Sequence, residues 1–345
     1  MNGRRWGFLL AAVTMAAALA LSACGGGGSD ATAQGGGSGG GETTTIRYQT
    51  GAGIVSPLEL ADSLGYLGNL QIKAIGEVTG GPESIQAVAT DQADISSIAF
   101  DGSIVKAIAA GAGVKAVIGA YGSNKLSNQG LYALDSSPIK TAKDLVGKKI
   151  GVNTLGANEE AWLKLWLKKE GLSSDEIGEV QFVVIPPVNA EQALREEQLD
   201  GAVLSGPLAE LAEQKGGVHT VAKDIDVLGD YTGNSLVVRD DFIEENPKTT
   251  ATLVAGLARA VNYLQTTPRA QVIKLAEKVA AENGRPEDKE SLKYWKSQGV
   301  ANKGGVIDPK EYSTWIGLQE EEGELQPGQV KLSETYTNQF NPYSK

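Results

Sequence analysis

The stretch that decides the fold is IRYQTGAGIVSP, residues 46–57. The residues from Ile46 to Thr50 predict a β-strand, and the glycine-rich turn behind them ends at Ser56 and Pro57. Serine caps a helix N-terminus, and proline suits the first helical position because no amide donor is needed there. The stretch therefore predicts a strand, a turn and a helix, which is the opening of a βαβ unit.

The same alternation of strand and helix signals continues along the chain. Further strands are predicted at 70–78, 95–99, 114–120, 130–134, 149–152, 180–185, 201–204, 219–222 and 235–239, and the chain after Asp240 is predicted as helices at 241–246, 248–266, 269–283, 286–297 and 309–322. Strands separated by helices of this length predict an α/β fold with mixed, mostly parallel sheets. We expect two lobes, the first formed by 45–130 plus 240–345 and the second by 131–239, with the helical tail packed on the first.

The N-terminus predicts export and a lipid anchor. Two arginines precede an apolar run from Phe8 to Leu21, which is too short to span a membrane and typical of a signal peptide. The run ends in LSAC at 21–24, which resembles the lipobox of bacterial lipoproteins. We therefore predict a signal peptide over 1–23, acylation of Cys24 and a glycine-rich flexible tether over 24–44. An ordinary secretory signal with an incidental cysteine is the alternative.

Composition excludes several classes of function. The 345 residues carry a formal charge of −11, which opposes binding to nucleic acid. The chain has one cysteine, Cys24, and one histidine, His219, so a cysteine zinc site, a disulfide framework and a Cys–His protease are excluded. The sequence has no Walker A motif and no Gly-x-Ser-x-Gly elbow between a predicted strand and a predicted helix. We expect no metal and no cofactor.

Several motifs together resemble one family. They are GIVSPLELADSLGYL at 53–67, DQADI at 91–95, DLVGKKIGV at 144–152, LDGA at 199–202, and VRDDF at 238–242 followed by Pro247. Their order and spacing resemble the extracytoplasmic solute-binding proteins of ABC importers, in the branch for nitrate, aliphatic sulfonates, taurine and thiamine-precursor pyrimidines. The resemblance implies a two-lobed periplasmic-binding-protein fold of type II. It also implies a monomer without enzymatic activity that delivers a small organic solute to an ABC permease and its ATPase.

The predicted ligand site lies at the carboxyl ends of the strands. Ligands of open α/β sheets bind there, and glycines and helix starts expose backbone N–H donors to them. The predicted contacts are Gly51, Gly53, Ile54, Val55, Gly80, Gly81, Phe100, Asp101, Tyr121, Asn124, Leu155, Gly156, Ala157, Asn158, Ser205 and Asn234. Asp101 is also predicted to cap a helix, and Asn158 either caps a helix or contacts the ligand.

Charge in these loops bears on the ligand. They contain no arginine and only Lys125 nearby, whereas Asp101, Glu159 and Glu160 lie in or beside them. Acids near helix N-termini oppose a simple anion. The charge therefore favours a zwitterion such as an amino-sulfonate, or a neutral heteroaromatic. The family resemblance implies an aliphatic sulfonate or an amino-sulfonate as the first expectation, with a pyrimidine precursor or a nitrate-like anion as the alternative. Aromatic surfaces for such ligands are expected from Tyr121, Phe100 and Tyr231.

Four other features of the sequence allow interpretations different from a binding protein or have no role in binding. Gly51-x-Gly53-x-x-Ser56 with Glu77 resembles a dinucleotide fingerprint but lacks its third glycine. Trp162 and Trp166 lie one helical turn apart and are expected in a core. A secreted hydrolase would have to use His219 as its base, and a surface adhesion module is a third class. The acidic run 320–324 is expected to be a solvated helix end.

Overall fold

The computed structural model describes residues 41–51, 54–78 and 80–345. The predicted signal peptide, Cys24 and nearly all of the tether lie outside these residues, as does Gly53. Residues 42–345 form a single compact unit by their contacts. No helix of the described chain combines the length and apolar character required to cross a bilayer.

Ten strands form three hydrogen-bonded sheets in the described chain. The strands are β1 (Thr45–Gly51), β2 (Gln71–Val78), β3 (Ala99–Phe100), β4 (Val114–Ser123), β5 (Gln129–Leu134), β6 (Lys149–Val152), β7 (Gln181–Val184), β8 (Gly201–Ser205), β9 (Val218–Lys223) and β10 (Tyr231–Arg239). The first two pair with each other, a second sheet has the order β3-β10-β4, and a third has the order β7-β6-β8-β5-β9. We call the part built on β1–β4 and β10 the first lobe, and the part built on β5–β9 the second lobe.

Fourteen α-helices connect and cover these strands in the described chain. They are α1 (Pro57–Ser63), α2 (Gly81–Ala89), α3 (Asp101–Ala109), α4 (Asn158–Lys169), α5 (Ser174–Gly178), α6 (Pro187–Arg195), α7 (Gly206–Lys215), α8 (Asp224–Leu228), α9 (Asp240–Glu245), α10 (Pro247–Thr266), α11 (Arg269–Glu282), α12 (Lys289–Leu292), α13 (Pro309–Glu321) and α14 (Leu332–Thr335). Short 3₁₀ turns occur at Ala142–Leu145, Pro286–Asp288 and Lys303–Gly305. The helix predicted at 286–297 is therefore reduced to one 3₁₀ turn and the short α12.

The strands are less parallel than predicted. The parallel pairs are β1–β2, β6–β7 and β6–β8, whereas β10–β3, β10–β4, β5–β8 and β5–β9 are antiparallel. The segment 231–239, which was assigned to the second lobe, pairs with two first-lobe strands. The reason is the chain topology. The chain returns from the second lobe as β10, which enters the first-lobe sheet antiparallel to β3 and β4. The division into two lobes as separate domains stays a prediction.

The tail packs on the first lobe, as predicted. Leu253, Leu257 and Val261 on α10 are fully buried in one apolar cluster with Ile46 of β1 and Leu58 of α1. The second lobe has its own core, in which α4 buries Trp162 and Trp166 against its sheet. Burial of apolar surface contributes roughly 25 cal/mol per Å² to the free energy of folding. These two cores hold the carboxyl ends of β1 and β6 in position.

Candidate functional site

The turn after β1 is held by an arginine from the tail. Arg285 follows α11, and its Nη1 donates hydrogen bonds to the carbonyl oxygens of Gly51 and Ile54, both at 2.8 Å. Its Nη2 donates to Glu59 Oε1 at 2.5 Å, and Asp288 Oδ2 lies 3.1 Å from Nη1. The two carboxylates compensate the charge of Arg285, which is why the cation is tolerated with its side chain only 12% exposed.

These bonds orient the turn for binding. In a trans peptide the C=O and the N–H point in opposite directions. Since the Ile54 carbonyl faces Arg285, the N–H of Val55 on the same peptide plane points away from it. The Val55 side chain itself is buried in the first-lobe core. A ligand at this turn would therefore meet the Val55 backbone rather than its side chain.

The start of α1 completes this side of the site. Ser56 and Glu59 form a capping box in which the Glu59 N–H donates to Ser56 Oγ at 3.2 Å and the Ser56 N–H donates to Glu59 Oε2 at 2.8 Å. Glu59 also accepts a hydrogen bond from Arg285. One buried carboxylate therefore connects the turn, helix α1 and the C-terminal tail. Sequence reasoning found the serine cap but missed Arg285, since a residue 234 positions away leaves no local signal.

The opposite side of the site is the loop between β6 and α4. Glu159 Oε2 accepts from the Asn153 N–H at 2.6 Å, and Glu160 Oε2 accepts from the Gly156 N–H at 2.7 Å. Gly156 has a φ of +71°, which glycine adopts without strain. Burial raises the pKa of Glu159 to about 7. The two glutamates of the first helical turn therefore hold this loop, and the N–H of Gly156, a predicted ligand contact, is already used.

The two loops meet across the lobes. Gly80, before α2, lies so close to Thr154 that a Cβ at position 80 would be 2.5 Å from Thr154 Cγ2. Beside it, Ser103 Oγ of α3 donates to the Gly156 carbonyl at 2.6 Å. We call residues 51–55 with 80–81 the first rim and residues 153–158 the second rim. The structure therefore brings Gly80 and the start of α3 against the second rim.

The helix caps predicted at Asp101 and Asn158 are wrong, unlike the cap at Ser56. Ala157 occupies the cap position of α4, and Asn158 is the first helical residue. The Asn158 side chain lies instead against Tyr231, with Nδ2 donating to the tyrosine oxygen at 3.1 Å. At α3 the cap position is Phe100, and Asp101 is the first helical residue.

Three predicted contacts lie inside the first lobe. Asp101 is fully buried, and its Oδ1 accepts from Ser235 Oγ at 2.7 Å and from the Tyr312 hydroxyl at 3.1 Å. Burial raises the pKa of Asp101 well above its usual value, so the group favours its neutral form. The Phe100 ring packs edge-on against Trp315 at 4.7 Å. Asn234 is 7% exposed and lies opposite both Phe100 and Tyr121 in the sheet.

Two uncharged polar groups near the first rim are buried without a partner. They are the hydroxyl of Tyr121 and Oε1 of Gln49, for which no residue of the described chain supplies a hydrogen bond. Buried polar groups are paired in the great majority of cases, so each such atom calls for an explanation such as a ligand. Burial raises the pKa of Tyr121, with Glu59 nearby adding to it, so the hydroxyl keeps its proton as a donor. Sequence reasoning singled out Tyr121 but missed Gln49.

The remaining predicted contacts, Asn124 and Ser205, lie at the connection between the lobes. Asn124 Oδ1 accepts from the N–H groups of Leu126 and Ser127, and its Nδ2 donates to Ser297, so its side chain shapes a turn. Ser205 ends β8 beside a cavity of about 300 Å³. Its charged lining residues are Lys125, Glu210, Glu213, Lys223 and Lys296. The sequence indicated Lys125 as the only cation near this strand end. The tertiary structure adds Lys223 and Lys296.

The hydrolase interpretation is wrong. His219 lies on β9 opposite Ala133, and its Nε2 is 2.8 Å from the Ile139 carbonyl oxygen. A ring nitrogen hydrogen-bonded to a backbone carbonyl serves the fold of the second lobe, away from both rims. Trp162 and Trp166 are core residues, as predicted. The described residues contain no cluster of histidine and acidic side chains that could hold a metal ion.

Comparison with known proteins agrees with this geometry. The model of the NMT1/THI5-like family matches residues 55–271, more than half of the chain. The chain is 28% identical over 142 residues to the bicarbonate transport ATP-binding protein CmpC of Synechocystis sp., a match that covers 41% of this chain and 21% of that protein. It is 27% identical over 210 residues to the taurine-binding periplasmic protein of Escherichia coli, covering 59% and 61%.

A solved structure shows the same fold. The alkanesulfonate-binding protein SsuA from Xanthomonas axonopodis pv. citri, bound to MOPS, superposes with a TM-score of 0.67 at 21% identity, covering 86% of this chain and 99% of that one. The expected type II periplasmic-binding-protein fold is thereby confirmed, as is the family resemblance. The chain belongs to the NMT1/THI5-like family.

Proposed function

We propose that the protein captures a small organic solute between its two rims and delivers it to the permease of an ABC importer. The observation that carries this proposal is the meeting of the rims, Gly80 with Thr154 and Ser103 with Gly156. At both contacts a glycine of one lobe meets a small hydroxyl side chain of the other, Thr154 or Ser103. A ligand held at this place is gripped by both lobes and favours their closed arrangement.

We propose an aliphatic sulfonate as the ligand. The donors near the first rim are neutral: the Tyr121 hydroxyl and the Val55 N–H. Arg285 does not add a net charge, because Glu59 and Asp288 compensate it. A sulfonate spreads its charge over three oxygens that accept such donors, and the names of the taurine- and alkanesulfonate-binding relatives support this class. A nitrate-like anion and a pyrimidine precursor remain the alternatives.

The structure weakens the argument for an amino-sulfonate. That argument counted Asp101 among the acids beside the ligand. The Asp101 carboxyl is buried between Ser235 and Tyr312 and favours its neutral form. We therefore propose that an amino group adds little affinity, so that taurine binds no better than an unsubstituted alkanesulfonate of similar length.

We also propose that the mature protein is extracytoplasmic and anchored by acyl chains on Cys24. The support is the sequence LSAC at 21–24 and the glycine-rich segment behind it. The described chain begins at the far end of that segment. Glu42 Oε2 there accepts from the Thr249 N–H at 2.6 Å, in the first turn of α10.

Isothermal titration calorimetry on the purified full chain tests the function. Alkanesulfonates, taurine, nitrate, bicarbonate and a pyrimidine precursor are titrated separately. We expect one class to bind with a dissociation constant in the micromolar range or below, a free energy of about −8 kcal/mol or stronger. Binding of no class would refute the proposed function, and tightest binding of nitrate or the pyrimidine would refute the ligand class.

A matched pair of glycine variants tests the place of binding. Gly80→Val puts a side chain where Thr154 already lies, whereas Gly178→Val in α5 meets no atom within 4 Å. We expect the first change to weaken binding about tenfold or more and the second to leave it unchanged. Equal affinity of both variants would mean that the solute does not bind between the rims.

A further inference from the structure

Two chain connections join the first lobe to the second. Residues 124–128 lead from β4 to β5, and residues 224–230, which include α8, lead from β9 to β10. Any change in the angle between the lobes has to be taken up in these two segments, which we call the hinge. A group that bonds both segments at once therefore influences that angle.

Asp224 is such a group. It is fully buried at the start of α8. Its Oδ1 accepts from the N–H groups of Ile225 at 2.8 Å and Gln129 at 3.1 Å, and its Oδ2 accepts from Ser123 Oγ at 2.5 Å and the Tyr231 hydroxyl at 3.1 Å. Four donors fill the acceptor sites of one carboxylate. Ser123 ends β4, Gln129 begins β5 and Tyr231 begins β10, so both connections are bonded to it.

Tyr231 extends this contact to the second rim. Its oxygen lies 3.1 Å from Asn158 Nδ2, 3.3 Å from Asn158 Oδ1 and 3.1 Å from Asp224 Oδ2, so when the Asn158 amide donates, the single tyrosine proton goes to Asp224. Asn158 is 6% exposed and begins α4, directly behind the loop that meets Gly80 and Ser103. An unbroken series of hydrogen bonds therefore runs from the hinge to the second rim.

We infer that Asp224, Tyr231 and Asn158 are positioning residues that couple the hinge to the second rim, so that the angle between the lobes and the placement of the α4 loop change together. Tyr231 then acts through its hydroxyl on Asn158 and is not an aromatic surface for the ligand. The inference rests on the proposed function, because closure has a role only in a protein that encloses a solute.

The test measures the distance between the lobes without any ligand. Cys24 is the only cysteine, so Cys24→Ser provides a background for two labels, at Ile75→Cys in β2 and Val184→Cys in β7. Both parent side chains are exposed, at 40% and 55%. Double electron–electron resonance then gives the distribution of distances between the two spin labels in each variant. Melting curves establish that each variant is folded.

Tyr231→Phe keeps the ring and removes the hydroxyl. We call the arrangement in which the rims meet closed, and the Tyr231 hydrogen bonds are present in it. We therefore expect the ratio of closed to open protein to fall about two- to tenfold, the range of one lost hydrogen bond. Asp224→Asn keeps the shape and is expected to shift the ratio in the same direction. The matched control is Tyr263→Phe, on α10 in the first-lobe core, which is expected to change nothing.

The coupling itself is tested by Tyr231→Phe combined with Asn158→Ala. If the residues act in series, the double variant shifts the ratio no further than the larger single change. Additive shifts would overturn the inference, and so would unchanged distances in folded Tyr231→Phe and Asp224→Asn. Because no ligand is present, this result is independent of whether the proposed solute binds.

Discussion

Replacing Arg285 by methionine is the most informative single perturbation of the first rim. Arg285→Met keeps much of the side-chain volume but removes the cation and its hydrogen bonds to Gly51, Ile54 and Glu59. The carboxylate of Glu59, with only 1% of its side chain exposed, then stays buried without its ionic partner. Removing one member of a buried ion pair costs about 3–5 kcal/mol.

The expected loss is measurable in two ways. Urea unfolding reports the free energy directly. In a thermal melt, taking about 2 °C per kcal/mol for a chain of this size, Tm falls by about 6–10 °C. The affinity for the solute falls as well, because the turn at 51–55 loses the group that orients its peptides.

The double variant Glu59→Gln with Arg285→Met separates charge from shape. It removes the Glu59 charge together with the cation and leaves only the Asp288 carboxylate facing position 285, so less buried charge is uncompensated, and we expect it to be more stable than Arg285→Met alone. The reasoning is refuted if the double variant is as unstable as the single one. It is also refuted if Arg285→Met unfolds within about 1 kcal/mol of the parent.

Three further predictions follow from other parts of the chain. Burial raises the pKa of Glu159 to about 7, so the stability that it contributes is present below about pH 4.5 and is lost as the pH rises through 7. Urea unfolding at about pH 5 and about pH 8 measures this loss, and Glu159→Gln is expected to reduce the difference in unfolding free energy between the two pH values. Lys168 of α4 and Glu321 of α13 pair at 2.8 Å across the lobes, so Lys168→Glu weakens solute binding less than about fivefold, and adding Glu321→Lys restores it in calorimetry. Cys24→Ser releases the protein from membranes in cell fractionation, and retention like the parent would contradict the anchor.

The expected role of Asp101 shows how far local reasoning reaches. The sequence places an acid directly after a strand, where ligands of α/β proteins bind. That position is correct, since Asp101 begins α3 after β3. The direction of its side chain depends on α13, which supplies Tyr312 from 211 residues away. The carboxyl therefore faces the interior of the first lobe, which no pattern near residue 101 indicates.

The sequence by itself determined the features that rest on local physics. Hydrophobic periodicity, helix caps and glycine stops predicted the alternation of strands and helices, and residues 241–322 were correctly predicted as mainly helical. The glycines of both rims were also predicted, because a turn between a strand and a helix needs them whatever the rest of the chain does. The family motifs depend on the same short stretches.

Only the tertiary structure decided which distant groups share a site. Arg285 meets the turn at 51–54, and Asp224 joins the start of β10 to the end of β4 and the start of β5. It also decided the strand directions, because the chain crosses between the lobes twice and returns as β10 antiparallel to its neighbours. These facts follow from packing and chain topology, which depend on pairs of residues far apart in sequence, and such pairs leave no trace in local propensity or periodicity.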